Sequence, residues 1–421
     1  DLKSGLIFGT PLQSGLDFNV TIAASNSSGS DEENMSFFVN PGSQSILFNE
    51  INSLKYGDPP VDLNWTSTSG LPVSIRIVEG DIVDVGPHVG GSGDEIVIDA
   101  AGRFASPGFI DNHMHAYGIS LNMMNMEASP KSYVALKGST RLQAALRRGF
   151  TTIRDVAGGD IGLGMAIAQG LVEAPNYYYT GPALSQTGGH GDPREAHLDV
   201  CTCSHHATEV VDGVDNLRVA VRERLRTGAH AIKIMASGGV VSLTDPIRTP
   251  QYSAEEIAAV SDEAQRRGSY VAAHAYSPEA IVHAVTNGVR SIEHGNLLDD
   301  ETAQVMKEFG AVLVPTLVTY HAMSEHGASL GMVEVALEKN AQVLEAGQKA
   351  IEIAMQNGVE VGFGSDLMGD LEYLQLSGLP LQHEVQGTLE LLRSLTSRNA
   401  RILGTERHGW IRPGCTGDVV L

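Results

Sequence analysis

The chain has 421 residues, 42% of them hydrophobic, and a formal net charge of −22 at pH 7. This length suits one barrel-sized domain with an accessory part, or two domains, and no apolar run is long enough to cross a bilayer. The negative charge argues against nucleic acid or an anionic membrane as a partner and fits a soluble protein. The sequence does not identify the compartment, with cytoplasmic slightly favoured over secreted, and it leaves a homo-oligomer open.

The N-terminal segment, residues 1–70, is rich in Ser, Asn, Gly and Asp. This composition predicts an irregular segment that is partly β or disordered. The chain begins at Asp1 without a signal-type apolar stretch, so we expect that it has been trimmed. N-glycosylation patterns are common by chance in Ser/Asn-rich sequence and favour secretion only slightly; here they begin at Asn19, Asn26, Asn34 and Asn64.

A small β-module is predicted on both flanks of a larger domain. Alternating apolar residues predict strands at 73–77, 82–85 and 95–98, and residues 413–421 begin another strand. We therefore assign residues 71–105 and 405–421 to one flanking β-sandwich module.

Residues 106–404 alternate short apolar strands with amphipathic helices. Eight strands are predicted, at 109–110, 152–155, 177–180, 231–235, 270–274, 291–294, 312–315 and 359–363. Helices are predicted between them at 139–148, 216–227, 254–267, 278–287, 301–309 and 334–356. This count predicts an α/β fold with a (β/α)8 barrel of the TIM type. A doubly wound open sheet is the alternative, weakened because no Gly-rich dinucleotide loop follows the first strand.

Two histidines end the first predicted barrel strand. Side chains two residues apart point to the same side of a strand, so His113 and His115 can converge on one point. Neutral imidazoles converging in this way suit a borderline metal such as zinc. A chance pair of histidines at a strand end is the alternative.

Further residues able to bind a metal follow other predicted strands, and barrel active sites lie at these C-terminal ends. His274 and His294 could be core histidines, and Asp366 could be a helix N-cap. Lys233 lies inside an apolar strand, where a lone cation is costly unless neutralised. Carbamylation by CO2 would make it an anionic oxygen ligand able to bridge two metals. Together the six residues predict a metal site: His113, His115, Lys233, His274, His294 and Asp366.

The three cysteines do not form a disulfide framework. Cys201-Thr-Cys203 could be a soft metal clip, but there is no second pair, so loop cysteines are the simpler interpretation. Cys415 stands alone near the end of the chain.

Several stretches resemble the amidohydrolase superfamily, and within it the branch of Xaa-Pro dipeptidases and fungal ochratoxinases. The resemblance covers roughly residues 71–421. Specific to the branch are Ser-Gln-Thr-Gly-Gly-His-Gly-Asp at 185–192 and Lys-Ile-Met-Ala-Ser-Gly-Gly at 233–239. The remaining matches are residues 107–115, 273–276, 291–295 and 364–366.

The resemblance implies two divalent metal ions, most simply zinc, joined by a CO2-derived carbamate on Lys233. One metal would be held by His113, His115, the carbamate and Asp366, and the second by the carbamate, His274 and His294. A hydroxide between the metals would be the nucleophile. Asp366 would pass its proton to the departing amine.

Two further residues are candidates for catalysis. His190, in the long loop after the third strand, could bind the scissile carbonyl or a substrate carboxylate, or it could be an ordinary loop histidine. Tyr252 could donate to the developing oxyanion or simply pack before the next helix. Arg194 and Arg248 could clamp a carboxylate, but surface positions are the simpler interpretation and we leave them out of the site.

The leading functional hypothesis is a hydrolase of peptide-like amides whose substrate carries a free carboxylate: a dipeptide, an N-acyl amino acid or an ochratoxin-type amide. Hydrolysis of a lactone, carbamate or cyclic amide is the alternative, because one metal centre serves many substrates. A non-catalytic barrel is a third hypothesis, disfavoured by the presence of all six ligand types.

Overall fold

The computed structural model describes residues 73–86, 89, 96–100, 102–194, 197, 206–243 and 245–421, and the backbones of four strands nearer the N-terminus. It forms two compact units, residues 1–99 with 412–414 and residues 100–411 with 415–421. The three-segment division predicted from the sequence stays a prediction. Cys201, Cys203 and the glycosylation side chains lie outside the described residues, whereas Cys415 is a buried free thiol. No described helix has the length and apolar character needed to span a membrane.

The first unit contains three antiparallel strand pairs. In chain order its strands are β1 (Asp17–Asn26), β2 (Gly29–Phe38), β3 (Ile46–Phe48), β4 (Trp65–Ser67), β5 (Ser74–Val78) and β6 (Asp81–Gly86), paired consecutively. Gly80, with φ of 86°, lies in the turn between β5 and β6. The strand predicted at 95–98 is wrong over its described residues: 96–98 pair with no described strand, and their side chains are 76–92% exposed.

The second unit contains eleven of the described strands. They are β7 (Ser106–Pro107), β8 (Phe109–Met114), β9 (Phe150–Asp155), β10 (Asn176–Tyr179), β11 (Ala183–Ser185), β12 (Thr208–Val210), β13 (Ile232–Met235), β14 (Val271–Ala275), β15 (Ser291–His294), β16 (Val312–Val314) and β17 (Val419–Val420). β17 pairs antiparallel with β7, so the final strand joins this unit.

Helices alternate with these strands. The α-helices are α1 (Met123–Glu127), α2 (Lys131–Arg147), α3 (Ile161–Ala168), α4 (Val214–Arg226), α5 (Ala254–Arg266), α6 (Pro278–Thr286), α7 (Asp300–Glu308), α8 (Leu317–His326), α9 (Glu334–Gln356), α10 (Gly378–Arg393) and α11 (Asn399–Leu403). Short 3-10 segments lie at Ala328–Leu330 and Gly369–Ser377, and a π-helical turn at Ser394–Arg398. All six predicted helices are present; α1, α3, α8, α10 and α11 were not predicted.

Parallel pairing closes the barrel. β8, β9 and β10 are neighbours, and β11, β13, β14, β15 and β16 form a second run. Leu313 in β16 bridges Val361, and the Asn112 amide in β8 donates to the Phe363 carbonyl at 3.0 Å. The extended segment 359–363 therefore takes the place of the strand predicted as the eighth, whereas β11 and β12 are additional to the eight predicted strands. The two runs also meet between β10 and β13, where the amide of His230, just before β13, donates to the carbonyl of Tyr179 in β10 at 2.8 Å.

The core lies between this barrel and its helices. Strand residues such as Ile234 and Ile292 are fully buried with helix residues such as Val221, Ile257 and Ile281 in one apolar cluster. Local sequence signals start the outer helices: α5 has a Ser253/Glu256 capping box, and α6 has a Ser277 cap followed by Pro278. The predicted TIM-type barrel is confirmed.

Candidate metal centre

The six predicted ligands meet at one end of the barrel. His113 lies in β8 with His115 just beyond it, Lys233 in β13, His274 in β14 and His294 at the end of β15, and Asp366 follows the eighth strand. Because the strands are parallel, their carboxyl ends share one mouth. All six side chains are largely buried there, and the most exposed of them, Asp366 and His115, are 13% and 12% accessible.

Asp366 is the centre of the cluster. Its Oδ1 atom lies 2.8 Å from His115 Nε2 and 3.4 Å from His113 Nε2, and its Oδ2 atom lies 3.8 Å from His294 Nδ1. One ligand atom each from His113, His294 and Asp366 fit within 4.8 Å of one another. The ring of His274 is 4.6 Å from that of His294, centroid to centroid. These spacings bring five possible ligands around one small volume.

Backbone strain coincides with the cluster. Four described non-glycine residues have positive φ, and two of them are His294 at 75° and Asp366 at 53°. Such a conformation costs about 1–3 kcal/mol and persists only where the surroundings enforce it. The Asp366 amide donates to the His113 carbonyl at 2.7 Å, and Arg141 holds the next turn by donating to the Leu367 and Gly369 carbonyls, both at 2.7 Å. The fold thus fixes Asp366 in a conformation that it would not adopt alone.

The electrostatics suit a cation. Burial lowers the pKa values of His115, His274 and His294, so their imidazoles are neutral and keep a lone pair for a metal. Burial alone would raise the pKa of Asp366, but the electrostatic interaction with His113 and the hydrogen bonds of His113 and His115 hold it well below its ordinary value. The mouth therefore presents neutral imidazoles and one ionised carboxylate.

Lys233 is a buried cation with no partner among the residues that the structure describes. Its side chain is 1% exposed, and within the described part of the chain no hydrogen bond or ion pair reaches its ammonium group. Burial lowers its pKa to about 8, although the nearby charges of Glu293 and Asp366 oppose this shift. A fraction of Lys233 is therefore a free amine near neutral pH, and a carbamate formed on it would supply the missing anionic oxygens. The donor set of the six residues fits two divalent cations.

His190 lies against the cluster. Its ring stacks on His274 with centroids 4.1 Å apart, and its Nδ1 atom is 2.7 Å from Ser242 Oγ. Burial lowers its pKa. The approach requires Gly239, because a Cβ there would lie 2.1 Å from the His190 ring. The predicted role of His190 in binding substrate stays a prediction, and its position beside the ligands is compatible with it.

The other candidates lie elsewhere. Tyr252 is buried in the core between barrel and helices, and its hydroxyl donates to the Val211 carbonyl at 3.1 Å. The catalytic role predicted for Tyr252 therefore stays a prediction, with packing as the simpler alternative. Arg194 pairs with Asp192 at 2.6 Å, and the exposed Arg248 pairs with Glu279 at 2.8 Å.

A mainly apolar cavity opens beside the cluster. Its wall includes His115, His190, His274, His294 and Asp366 together with Tyr276. Among the residues that the structure describes, no lysine or arginine lines it. Five methionines also line it, namely Met123, Met126, Met235, Met323 and Met368.

Sequence reasoning missed the buried residues that support the ligands. Glu293 Oε2 lies 2.7 Å from His113 Nδ1, and Tyr320 OH lies 2.8 Å from His294 Nδ1. The neighbouring Thr316 hydroxyl is also 2.8 Å from that nitrogen. Glu293 is one residue before His294 in the strand Ser291–His294, and a fully buried position for a charged residue next to a predicted ligand was the available signal.

Comparison with known proteins identifies the family. Residues 104–421 match the model of the amidohydrolase family. Ochratoxinase from Aspergillus niger is 30% identical over 332 residues, covering 75% of this chain and 69% of the relative. A prolidase solved with N-methylphosphonate-L-proline is 44% identical with a TM-score of 0.80, covering 82% of this chain and 86% of that one. A Xaa-Pro dipeptidase with bound methionine is 27% identical with a TM-score of 0.69, covering 82% and 87%.

These matches confirm the resemblance drawn from the sequence, including its branch. They also confirm the predicted class of enzyme, a hydrolase acting on amide bonds. The buried histidines and Asp366 at the barrel mouth agree with the metal dependence expected of that class. The chain belongs to the amidohydrolase family.

Proposed function

We propose that this chain is a binuclear metal-dependent hydrolase that cleaves a peptide-like amide bond next to a free carboxylate. Dipeptides, N-acyl amino acids and ochratoxin-type amides are the substrate classes. The observation that carries the proposal is the convergence at one barrel mouth of four histidines, an ionised carboxylate and a buried lysine that has no described partner. The similarity to a prolidase and an ochratoxinase supports amides of amino acids as the substrate class.

His113, His115 and Asp366 would hold one divalent cation, most simply zinc, and His274 and His294 the other, with a Lys233 carbamate between them. When bound, the cations would polarise the scissile carbonyl and lower the pKa of an attacking water. The neutral imidazoles and the free amine fraction of Lys233 keep these ligands available near neutral pH.

Asp366 would carry the proton. Its carboxylate faces the cavity and is ionised at neutral pH, so it can accept a proton from the attacking water. It can then donate that proton to the departing amine. The turn held by Arg141 fixes the carboxylate for both steps.

Different parts of the cavity wall suit different parts of the substrate. The methionine-rich surface suits an apolar acyl group, because thioether side chains adapt to irregular apolar shapes. His190 stacks on His274 and lines the cavity, and we propose that it binds the carboxylate or the scissile carbonyl. Tyr252 would support this side of the site by packing, since its hydroxyl is engaged by Val211.

A substrate panel tests the proposal. Zinc-loaded protein would be assayed on an N-acyl amino acid, a dipeptide, a lactone, a carbamate and a cyclic amide. We expect the highest kcat/KM on an amide with a free carboxylate. Preference for the lactone, carbamate or cyclic amide would assign the activity to hydrolysis of that bond. No turnover of any substrate by the metal-loaded protein would favour a non-catalytic barrel.

A further inference from the structure

A fully buried ion pair lies directly behind His113, on the side away from the cavity. Arg154 in β9 and Glu293 in β15 are both 0% exposed, and Arg154 Nη2 lies 2.7 Å from Glu293 Oε1. The other carboxylate oxygen of Glu293, Oε2, lies 2.7 Å from His113 Nδ1. The pair therefore connects two barrel strands to a residue on a third.

The pair is held in one geometry by its other partners. Arg154 Nε donates to the Asn112 carbonyl at 2.6 Å, and Arg154 Nη1 donates to the Tyr270 hydroxyl at 3.2 Å. The Ser291 hydroxyl donates to Glu293 Oε1 at 2.6 Å. Oε1 thus receives two donors, and Oε2 faces His113.

The charge state of Glu293 decides which atom carries the proton. Its Oε1 atom lies 2.7 Å from the buried Arg154 guanidinium, which is always charged, so the carboxylate that pairs with it is the ionised form. An ionised carboxylate only accepts hydrogen bonds. The His113 proton facing Glu293 therefore resides on Nδ1, and Nε2 faces Asp366 Oδ1 at 3.4 Å.

Stability gives little reason to keep such a pair. Removing two charges from water costs several kcal/mol each, and apolar replacements are often neutral or stabilising. A carboxylate that accepts from a metal-binding imidazole, in contrast, fixes its tautomer and ring orientation.

We propose that Glu293, held by Arg154, is a positioning residue of the metal centre: it fixes His113 with its Nε2 lone pair directed at one metal site. The inference rests on the proposed function, because it needs that metal centre. It predicts an effect on one of the two metal sites, since Glu293 contacts the ring of His113 and no other ligand ring.

The test is zinc affinity, which does not require turnover. Chelator-treated wild-type protein and Glu293→Gln would be titrated with Zn2+ against a chromophoric chelator. We expect the variant to bind one zinc about 10–100-fold more weakly and the other within about twofold of wild type. Glu263→Gln is the control, because Glu263 also pairs with an arginine, Arg222, at 2.5 Å, but on the outer helices α4 and α5, where Arg222 is 60% exposed. It should leave both affinities unchanged.

A second variant separates orientation from folding. Glu293→Asp keeps the charge that pairs with Arg154 but withdraws the carboxylate from His113 by one methylene, so it should also weaken one zinc site. Unchanged affinity in both variants, with two zinc ions bound by wild type, would overturn this inference and leave the proposed function intact. Loss of fold in both variants, shown by circular dichroism, would assign the pair to folding and overturn it as well. Wild-type protein that binds no zinc would overturn both proposals.

Discussion

Replacing Lys233 with Met tests whether this lysine is present for function or for structure. In the metal-free protein its ammonium group is 1% exposed and lacks a described partner. Methionine has nearly the same length and carries no charge, so the substitution removes the cost of burying a cation without leaving a large void. We therefore expect metal-free Lys233→Met to be more stable than metal-free wild type, although it should have no activity.

The size of this effect follows from the pKa. Burial lowers the pKa of Lys233 from 10.5 to about 8, which corresponds to about 3 kcal/mol of unfolding free energy at about 1.4 kcal/mol per pH unit. Below pH 8 the lysine is charged in both the folded and unfolded states, so the cost is fully present. Between pH 8 and 10.5 the folded state is neutral while the unfolded state is charged, so the cost falls as pH rises. The advantage of the variant should therefore be about 3 kcal/mol at pH 7 and about 1 kcal/mol smaller at pH 9.

Guanidinium unfolding of both metal-free proteins in CO2-free buffer at pH 7 and pH 9 would measure this. The reasoning fails if Lys233→Met is less stable than wild type at pH 7, because Lys233 would then contribute to the fold. It also fails if the difference between the proteins does not narrow at pH 9.

Three further predictions concern the same mouth. Asp366→Asn should reduce kcat by about 10²–10⁴-fold while circular dichroism shows an intact fold; a loss below about tenfold would place the proton transfer elsewhere. A neutral methyl ester or amide analogue of a good substrate should lose at least about 1.5 kcal/mol in kcat/KM, and His190→Ala should shrink that gap; equal values for acid and neutral analogues would exclude carboxylate recognition. Gly364→Ala should weaken zinc binding and destabilise the protein by about 1–3 kcal/mol, because the added Cβ would lie 2.4 Å from His113 Cβ. Gly86→Ala is the control: the space around Gly86 is open, so zinc binding and stability should both stay unchanged.

The barrel and its ligands could be predicted because both depend on strand position. Alternating strands and helices predict parallel strands, and parallel strands bring their carboxyl ends together. His113, Lys233 and His294 follow this rule, so residues far apart in sequence were assigned to one mouth before any distance was known. The roles of the individual residues remain predictions.

Helix α8 was missed for a physical reason. Prediction of helices relied on one apolar face and one polar face. In α8, residues on all sides are buried, among them Leu317, Val318, Tyr320 and Met323. A helix buried all round has no such pattern and cannot be told from a strand by periodicity.

The network behind His113 was missed because its parts are remote in sequence. Glu293 and Arg154 are separated by 139 residues, and each alone is a single charged residue in a predicted strand with no partner visible in the sequence. Their pairing follows only from the barrel, which places β9 and β15 around the same interior. Tyr252 is a further example. The sequence shows that it precedes the N-cap residue Ser253, but only the fold shows that its hydroxyl donates to the Val211 carbonyl.

Zinc titration with simultaneous assay tests the central claim most directly. Chelator-treated wild-type protein in bicarbonate buffer would receive increasing Zn2+ while hydrolysis of an N-acyl amino acid is followed. A binuclear centre predicts negligible turnover without metal and a plateau near about two zinc ions per chain. Full turnover by the metal-free protein, or a plateau with no zinc bound, would contradict it.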